Sequence, residues 1–366
     1  MPWRNGIWSN DDGRIFEQTP DVTLMTDVFA DAGYRTMGTG ELMHSKSVAN
    51  KRLFQTTFDV EQRWSPLDKR VVRYTDADLP TKATDTPRHA VDFRGQTLTL
   101  PLNGMPSDRR PHDHSGESFD WGGFEVPDSA MGDHQITDWA IERLEDEIPG
   151  PFFLGVGYYR PHIPLWVPRR YLERFADTDV ALPPHHATDL DDLSAITRRR
   201  ALKPITGGSH ATVLRFDQWK PAVAAYLACV TFVDVQVGRL LDALDRSPHA
   251  DNTILVLWSD HGWHLGEKQH WGKWTGWERS TRVPLVIVPP RNATLASPSR
   301  SRRIDDPVGL IDLFPTLIDL CDLPFDEPLD GVNLTPIING DTLDRSRVIV
   351  TTFGRGNVSL VIEPAD

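Results

Sequence analysis

Three short runs in this chain, Phe152–Tyr158, Thr253–Trp258 and Pro284–Val288, place apolar side chains on both faces of a would-be strand. Such a strand needs cover above and below, which only a layered fold with helices on both sides of a sheet provides. Helical patterns lie where that cover must come from. Ile136, Trp139, Ala140, Leu144 and Ile148 mark one face of a helix over Asp133–Ile148, its acidic residues facing out, stopped by Pro149, Gly150 and Pro151. Pro221–Leu244 is the longest such pattern, with proline at its first position, where the missing amide proton costs little. Val22–Ala32 predicts a helix ended by Gly33, and Tyr34–Thr39 a short strand after it. Gly309–Leu320 is helical in pattern, and Arg347–Thr352 is a last strand. The alternation predicts an α/β fold, a mostly parallel central sheet with helices on both faces, in one domain over residues 1–366. Residues 60–120 are polar and aperiodic and read as a long loop or insertion near the substrate pocket; residues 183–210 also read as irregular.

Composition narrows the function. Lys+Arg 39 against Asp+Glu 52 leaves a net charge of −13, which argues against a general nucleic-acid or anionic-membrane binder. No run approaches the roughly 18 apolar residues that span a bilayer, and no basic-then-apolar leader opens the sequence. The two cysteines, Cys229 and Cys321, exclude a disulfide framework and read as small core residues. Twelve tryptophans either fill core and loop contacts or line a cleft.

The chemistry concentrates at predicted strand ends, where open α/β sheets bind ligands. Asp260 and His261 follow the 253–258 run, and Lys273 lies farther along a loop rich in Gly and Trp. Asp260 offers a hard oxygen to a divalent cation, although His261 alone points toward a softer metal. The bland alternative makes Asp260 a turn cap and Lys273 a solvated surface charge. His162 follows the 152–158 run between Pro161 and Pro164, which stiffen the loop and aim the imidazole. A third segment runs from Gly33 through Gly40 and Glu41 to His44.

Together these segments resemble the sulfatases of the alkaline-phosphatase-like superfamily, and among them the iduronate- and choline-sulfatase type. The likeness runs from about Pro2 to about Asn357. It implies hydrolysis of a small-molecule or carbohydrate sulfate ester, with Asp260 and His261 as ligands of Ca²⁺ (Mg²⁺ or another divalent cation being the alternatives) and His162, Lys273 and His44 as catalytic residues. Relatives are usually exported or lysosomal; the sequence itself assigns no compartment and no oligomeric state. Glu41 departs from the pattern by standing where the family has a lysine. The family nucleophile is a formylglycine made from the first residue of Cys/Ser-x-Pro-Ser-Arg, and neither cysteine begins that sequence. Ala296, followed by Ser297, Pro298, Ser299 and Arg300, is a decoy, and Asp11-Asp12 reads as a turn. The resemblance therefore implies a chain truncated at both ends, without the formylglycine segment, the first strand and most of a small C-terminal antiparallel subdomain, and impaired in turnover. The alternatives are a phosphate or phosphonate monoester hydrolase of the same superfamily and a non-catalytic binder of sulfated ligands.

Overall fold

The computed structural model describes residues 2–8, 19, 21–43, 52–60, 73–75, 89–106, 119–176, 178–204, 208–293, 302–343 and 347–362. After the helix Met25–Asp31, strand β1 (Arg35–Gly40) pairs in parallel with β2 (Thr56–Phe58) and, from Arg35↔Phe152 to Gly40↔Gly157, with a later strand. The stretch 60–120, expected to be irregular, contains an antiparallel meander of β3 (Arg73–Thr75), β4 (His89–Phe93) and β5 (Gln96–Leu100). Strand β6 (Trp121–Phe124) precedes the helix Gly132–Glu145, which leads into β7 (Phe152–Gly157), the later partner of β1. Strand β8 (Leu165–Pro168) then pairs in parallel with β6. The 183–210 stretch also holds more order than expected, since Ser194 and Ser209 cap short helices at Ala195–Ala201 and His210–Arg215 by accepting from the amides of Thr197 and Thr212.

The helix Trp219–Arg246 is the spine of the molecule. It packs on β8, β6 and the Gly132–Glu145 helix, and Ala222, Ala228, Cys229 and Phe232 are fully buried along it. Among the described residues it is also the one helix long and apolar enough to cross a membrane, with a mean hydropathy of 1.5 over its most apolar stretch. Of that stretch 44% is buried, and its buried apolar positions lie in the main core. Beyond it run β9 (Leu255–Trp258), the two-residue strands β10 (His264–Leu265) and β11 (Trp271–Gly272), and β12 (Leu285–Val288). Strands β10 and β11 form a small antiparallel hairpin.

Here the arrangement departs from a run of parallel strands. β12 returns antiparallel to β9, with Leu285 opposite Trp258, because the intervening loop makes no helical crossover that would bring the chain back to the start of the sheet. The pair is also less enclosed than two-sided apolarity suggests: Trp258, Val286 and Val288 are 46%, 47% and 46% exposed. Val286 and Val288 alternate with the more covered Leu285 and Ile287 and point one face of the pair outward. Ile254 and Val256 pack inward with Phe29, Phe153 and Leu317, and Trp258, on the same side as Val256, is exposed at the strand end. The chain continues through the helix Leu313–Leu320 to an antiparallel hairpin of β13 (Val348–Thr352) and β14 (Val358–Ile362).

Candidate functional site

Strand β9 delivers Asp260 and His261 to the sheet edge. Ser259 Oγ donates to the His261 carbonyl at 2.7 Å, and the His261 amide donates to Asp260 Oδ1 at 3.0 Å. The ring is oriented as tightly. His261 Nδ1 lies 2.9 Å from the Gly262 carbonyl. A carbonyl only accepts, so Nδ1 carries the proton and the Nε2 lone pair points outward. Lys273 Nζ meets that lone pair at 2.7 Å.

Lys273 follows β11, and its backbone is held by His270, whose Nε2 lies 3.0 Å from the Lys273 carbonyl and whose Nδ1 lies 2.9 Å from that of Ala201. Burial holds the Lys273 pKa below the ordinary lysine value, while the charges of Asp260 and Glu41 pull it back up. Glu41 thus acts on Lys273 as a counter-charge. Its position is set by the end of β1: the Glu41 amide donates to the Gly157 carbonyl at 2.9 Å. Gly40 has φ 81°, and a Cβ there would sit 1.9 Å from that same carbonyl oxygen. Only glycine lets the two strand ends cross so closely.

His162 arrives from β7. Its Nδ1 donates to the Ile163 carbonyl at 2.6 Å, and its ring lies 6.2 Å from that of Trp263, two residues beyond His261. Burial pushes its pKa down to about 4; the Ile163 carbonyl opposes this, and Lys273, Arg160 and His261 add to it. His162, His261, Lys273, Asp260 and Glu41 therefore share one electrostatic neighbourhood. His44 and the Asp11-Asp12 pair lie outside the described residues, as does the 296–300 stretch.

Two residues to which the sequence assigned no role in the site build the His162 loop. Asp133 was expected to face solvent on its helix, yet it is 2% exposed. Its carboxylate accepts from the amides of Tyr159 and Arg160 at 2.8 and 3.0 Å, which lets the charge stay inside. Burial raises its pKa, and the Arg160 charge and the two amides lower it. Arg160, itself buried, donates to the carbonyls of His162 and Trp166 at 2.8 and 3.1 Å. A lone Arg between a strand end and a proline was the available signal. Asp120 does similar work on the other side, accepting from Leu102, Asn103, Trp121 and the Trp166 indole, with burial pushing its pKa up to about 6.

A divalent cation does not fit Asp260 and His261 as they stand. The Asp260 side chain is 79% exposed, and the His261 lone pair that a metal needs faces the Lys273 ammonium. Ca²⁺ takes about six to eight oxygen ligands, and no group of three or more His, Cys, Asp or Glu side chains suited to a metal occurs among the described residues.

Comparison with known proteins assigns the family. The Sulfatase family model matches residues 4–323. A sulfatase of Formosa agariphila is 30% identical over 95% of the chain, and the iduronate 2-sulfatase of Homo sapiens is 32% identical over 83% of it. The chain spans 61% and 55% of the lengths of these two relatives. Among solved structures, a phosphonate monoester hydrolase from Silicibacter pomeroyi superposes with a TM-score of 0.65 at 20% identity, covering 94% of this chain and 66% of that one. That likeness speaks for the α/β fold alone. With a family match over most of its length, the chain belongs to the sulfatase family.

Proposed function

We propose that the protein is a sulfuric ester hydrolase in which Lys273, His261 and His162 hold and process the sulfate group of a sulfated sugar. The observation that carries this reading is the 2.7 Å approach of Lys273 Nζ to His261 Nε2 beside the buried His162. Lys273 supplies the cation for the sulfate oxygens. At an effective dielectric of about 20, an ammonium roughly 4 Å from an anion gains about 4 kcal/mol before desolvation. His162 has a different task. In the free site it is neutral with Nδ1 bonded to a carbonyl, so Nε2 accepts and cannot donate. A bound sulfate ester adds negative charge and favours the imidazolium, whose Nε2–H then protonates the departing alcohol while a nucleophile, which none of these three residues supplies, forms the new bond to sulfur. Asp133 and Arg160 hold His162 in place for this.

The sugar ester follows from the iduronate 2-sulfatase likeness, and residues 60–120 are assigned to shaping the pocket. Sulfatase-family proteins generally bind a divalent cation. Asp260 and His261 as arranged here do not fit such an ion, so none of the steps above passes through a metal; His44 belongs to this reading as a further catalytic group.

Turnover of a sulfated monosaccharide against its matched phosphate ester tests the reading. The sulfate ester should be preferred, and Lys273→Ala should lower its rate roughly 100- to 1000-fold. Preference for the phosphate ester would move the protein to the phosphate or phosphonate hydrolases. Sulfate binding with no turnover in any longer version of the protein would make it a binder of sulfated ligands.

A further inference from the structure

Two carbonyl groups flank the ring of His270. Nδ1 lies 2.9 Å from the carbonyl of Ala201, and Nε2 lies 3.0 Å from that of Lys273. A carbonyl has no proton to give and a neutral imidazole has one N–H, so a neutral ring leaves one of these contacts as two opposed lone pairs. Only the imidazolium donates to both. We propose that His270 is a positioning residue for Lys273: a doubly protonated ring that ties the Lys273 loop to the end of the Ala195–Ala201 helix and so fixes the backbone from which the ammonium reaches the sulfate. The bridge stands on the two distances; its effect on catalysis rests on the hydrolase reading above.

Regular structure supplies neither end of the bridge with a partner. Ala201 closes its helix, where carbonyls run out of intrahelical donors. Lys273 lies one residue past the last pair of the β10–β11 hairpin, His264↔Gly272, so the ladder does not reach its carbonyl. The backbone on either side of Lys273 also needs a restraint. Gly272 has φ 111° and Trp274 has φ 50°. Left-handed geometry is rare and costly for a bulky residue such as Trp, and it persists where the surroundings enforce it. The ring that makes the bridge is itself fixed. It is 1% exposed, its amide donates to the Glu267 carbonyl at 3.0 Å, and the rings of His264 and Trp277 stand 5.3 and 6.4 Å away.

The surroundings also decide when the bridge forms. Burial holds the His270 pKa below the ordinary histidine value of 6.5, and the two carbonyls push it back up. The charged and titratable groups nearby are few. His264 faces the ring from β10, with Arg279 acting on His264 in turn. The Ala195–Ala201 helix carries Arg198, Arg199 and Arg200 exposed. Glu267 turns its carboxylate to the Leu265 amide at 2.7 Å and toward Arg279 at 3.4 Å. Lys273 is the remaining cation, held by its own carbonyl. The second proton of His270 therefore leaves as pH rises through a value below 6.5, and the bridge is complete on the acid side.

NMR of the intact chain between about pH 5 and pH 8 tests the bridge through the ring nitrogens of His270 and the carbonyl carbons of Ala201 and Lys273. Both nitrogens should carry protons at the acid end, and both carbonyl resonances should shift with the midpoint of the ring. His270→Gln, whose amide donates at one end only, should imitate the neutral ring. Its kcat on a sulfated monosaccharide should be about tenfold below that of the unaltered chain near pH 5, as for loss of one charge-assisted bond, and about equal to it near pH 8. KM should change by less than about twofold, since a loosened lysine still reaches the ester but no longer holds it aligned for the transition state. A merely structural histidine would give the same loss at both pH values. The proposal is overturned by a single protonated nitrogen near pH 5, by carbonyl resonances that ignore the titration of the ring, or by a rate ratio independent of pH. Coupled titration in a protein without sulfate-ester turnover would overturn the hydrolase reading and leave the bridge standing.

Discussion

The tautomer of His162 decides what the residue can do. With Nδ1 committed to the Ile163 carbonyl and its pKa held near 4, the free site at neutral pH contains a base where the reaction needs an acid. Binding an anion must therefore bring a proton with it. Calorimetry of sulfate binding in buffers of different ionisation enthalpy should show uptake of up to about one proton per site near pH 6, lost in His162→Asn. Binding without proton exchange would assign His162 to positioning only. Glu41 is the second test at this scale. Its charge supports the protonated form of Lys273 but also repels a sulfate bound there. Glu41→Gln should tighten sulfate about three- to tenfold, 0.6–1.4 kcal/mol, by titration. Weaker binding would instead mean that Glu41 is needed to keep Lys273 charged. That these residues meet was only partly legible. Asp260, His261 and Lys273 share one segment and one motif, whereas the arrival of His162 and Glu41 depends on β1 and β7 running parallel and in register, which no local pattern displays.

At the scale of elements, apolar runs and their stops locate β1, β7, β9 and the Trp219–Arg246 helix nearly to the residue, because glycine, proline and the Ser259-Asp260 step interrupt each run sharply. The β9–β12 pairing was not legible. Its direction depends on whether the connecting loop crosses the sheet, and a loop of short 3₁₀ turns and hairpins carries no periodicity to say so. Buried charge was equally hidden: Asp133 sits where a helix usually shows its acidic first turn to water, and only its tertiary partners at Tyr159 and Arg160 explain its burial. This yields a prediction for the element pair. Asp133→Ala leaves the amides of Tyr159 and Arg160 without their acceptor, and should cost roughly 2–4 kcal/mol in urea unfolding. A loss below about 1 kcal/mol would show that water or a neighbour replaces the carboxylate.

For the whole molecule, the balance of buried histidines against buried carboxylates sets the acid limit. His162, His210 and His264 have native pKa values pushed down to about 4 by burial, below the unfolded value of about 6.5. Between those pH values the unfolded chain binds more protons than the native one, so stability present above pH 6.5 is lost as pH falls toward 4. His264, 1% exposed, sets the scale at roughly 3 kcal/mol for one such group. Asp120, raised to about 6, and Asp133, also raised, act in the opposite sense but are outnumbered by the buried histidines. The melting midpoint should therefore fall steadily from pH 6.5 to 4, with proton uptake on unfolding; a flat profile would contradict the burial of these rings. The crowding of indoles around the same loops has an optical consequence. Trp263 stands 6.2 Å from the His162 ring and Trp274 6.0 Å from Lys273 Nζ, so protonation of the imidazole or capture of an anion by the ammonium changes the field on an emitting ring, and the intrinsic fluorescence of the protein reports the state of its own site without any added label.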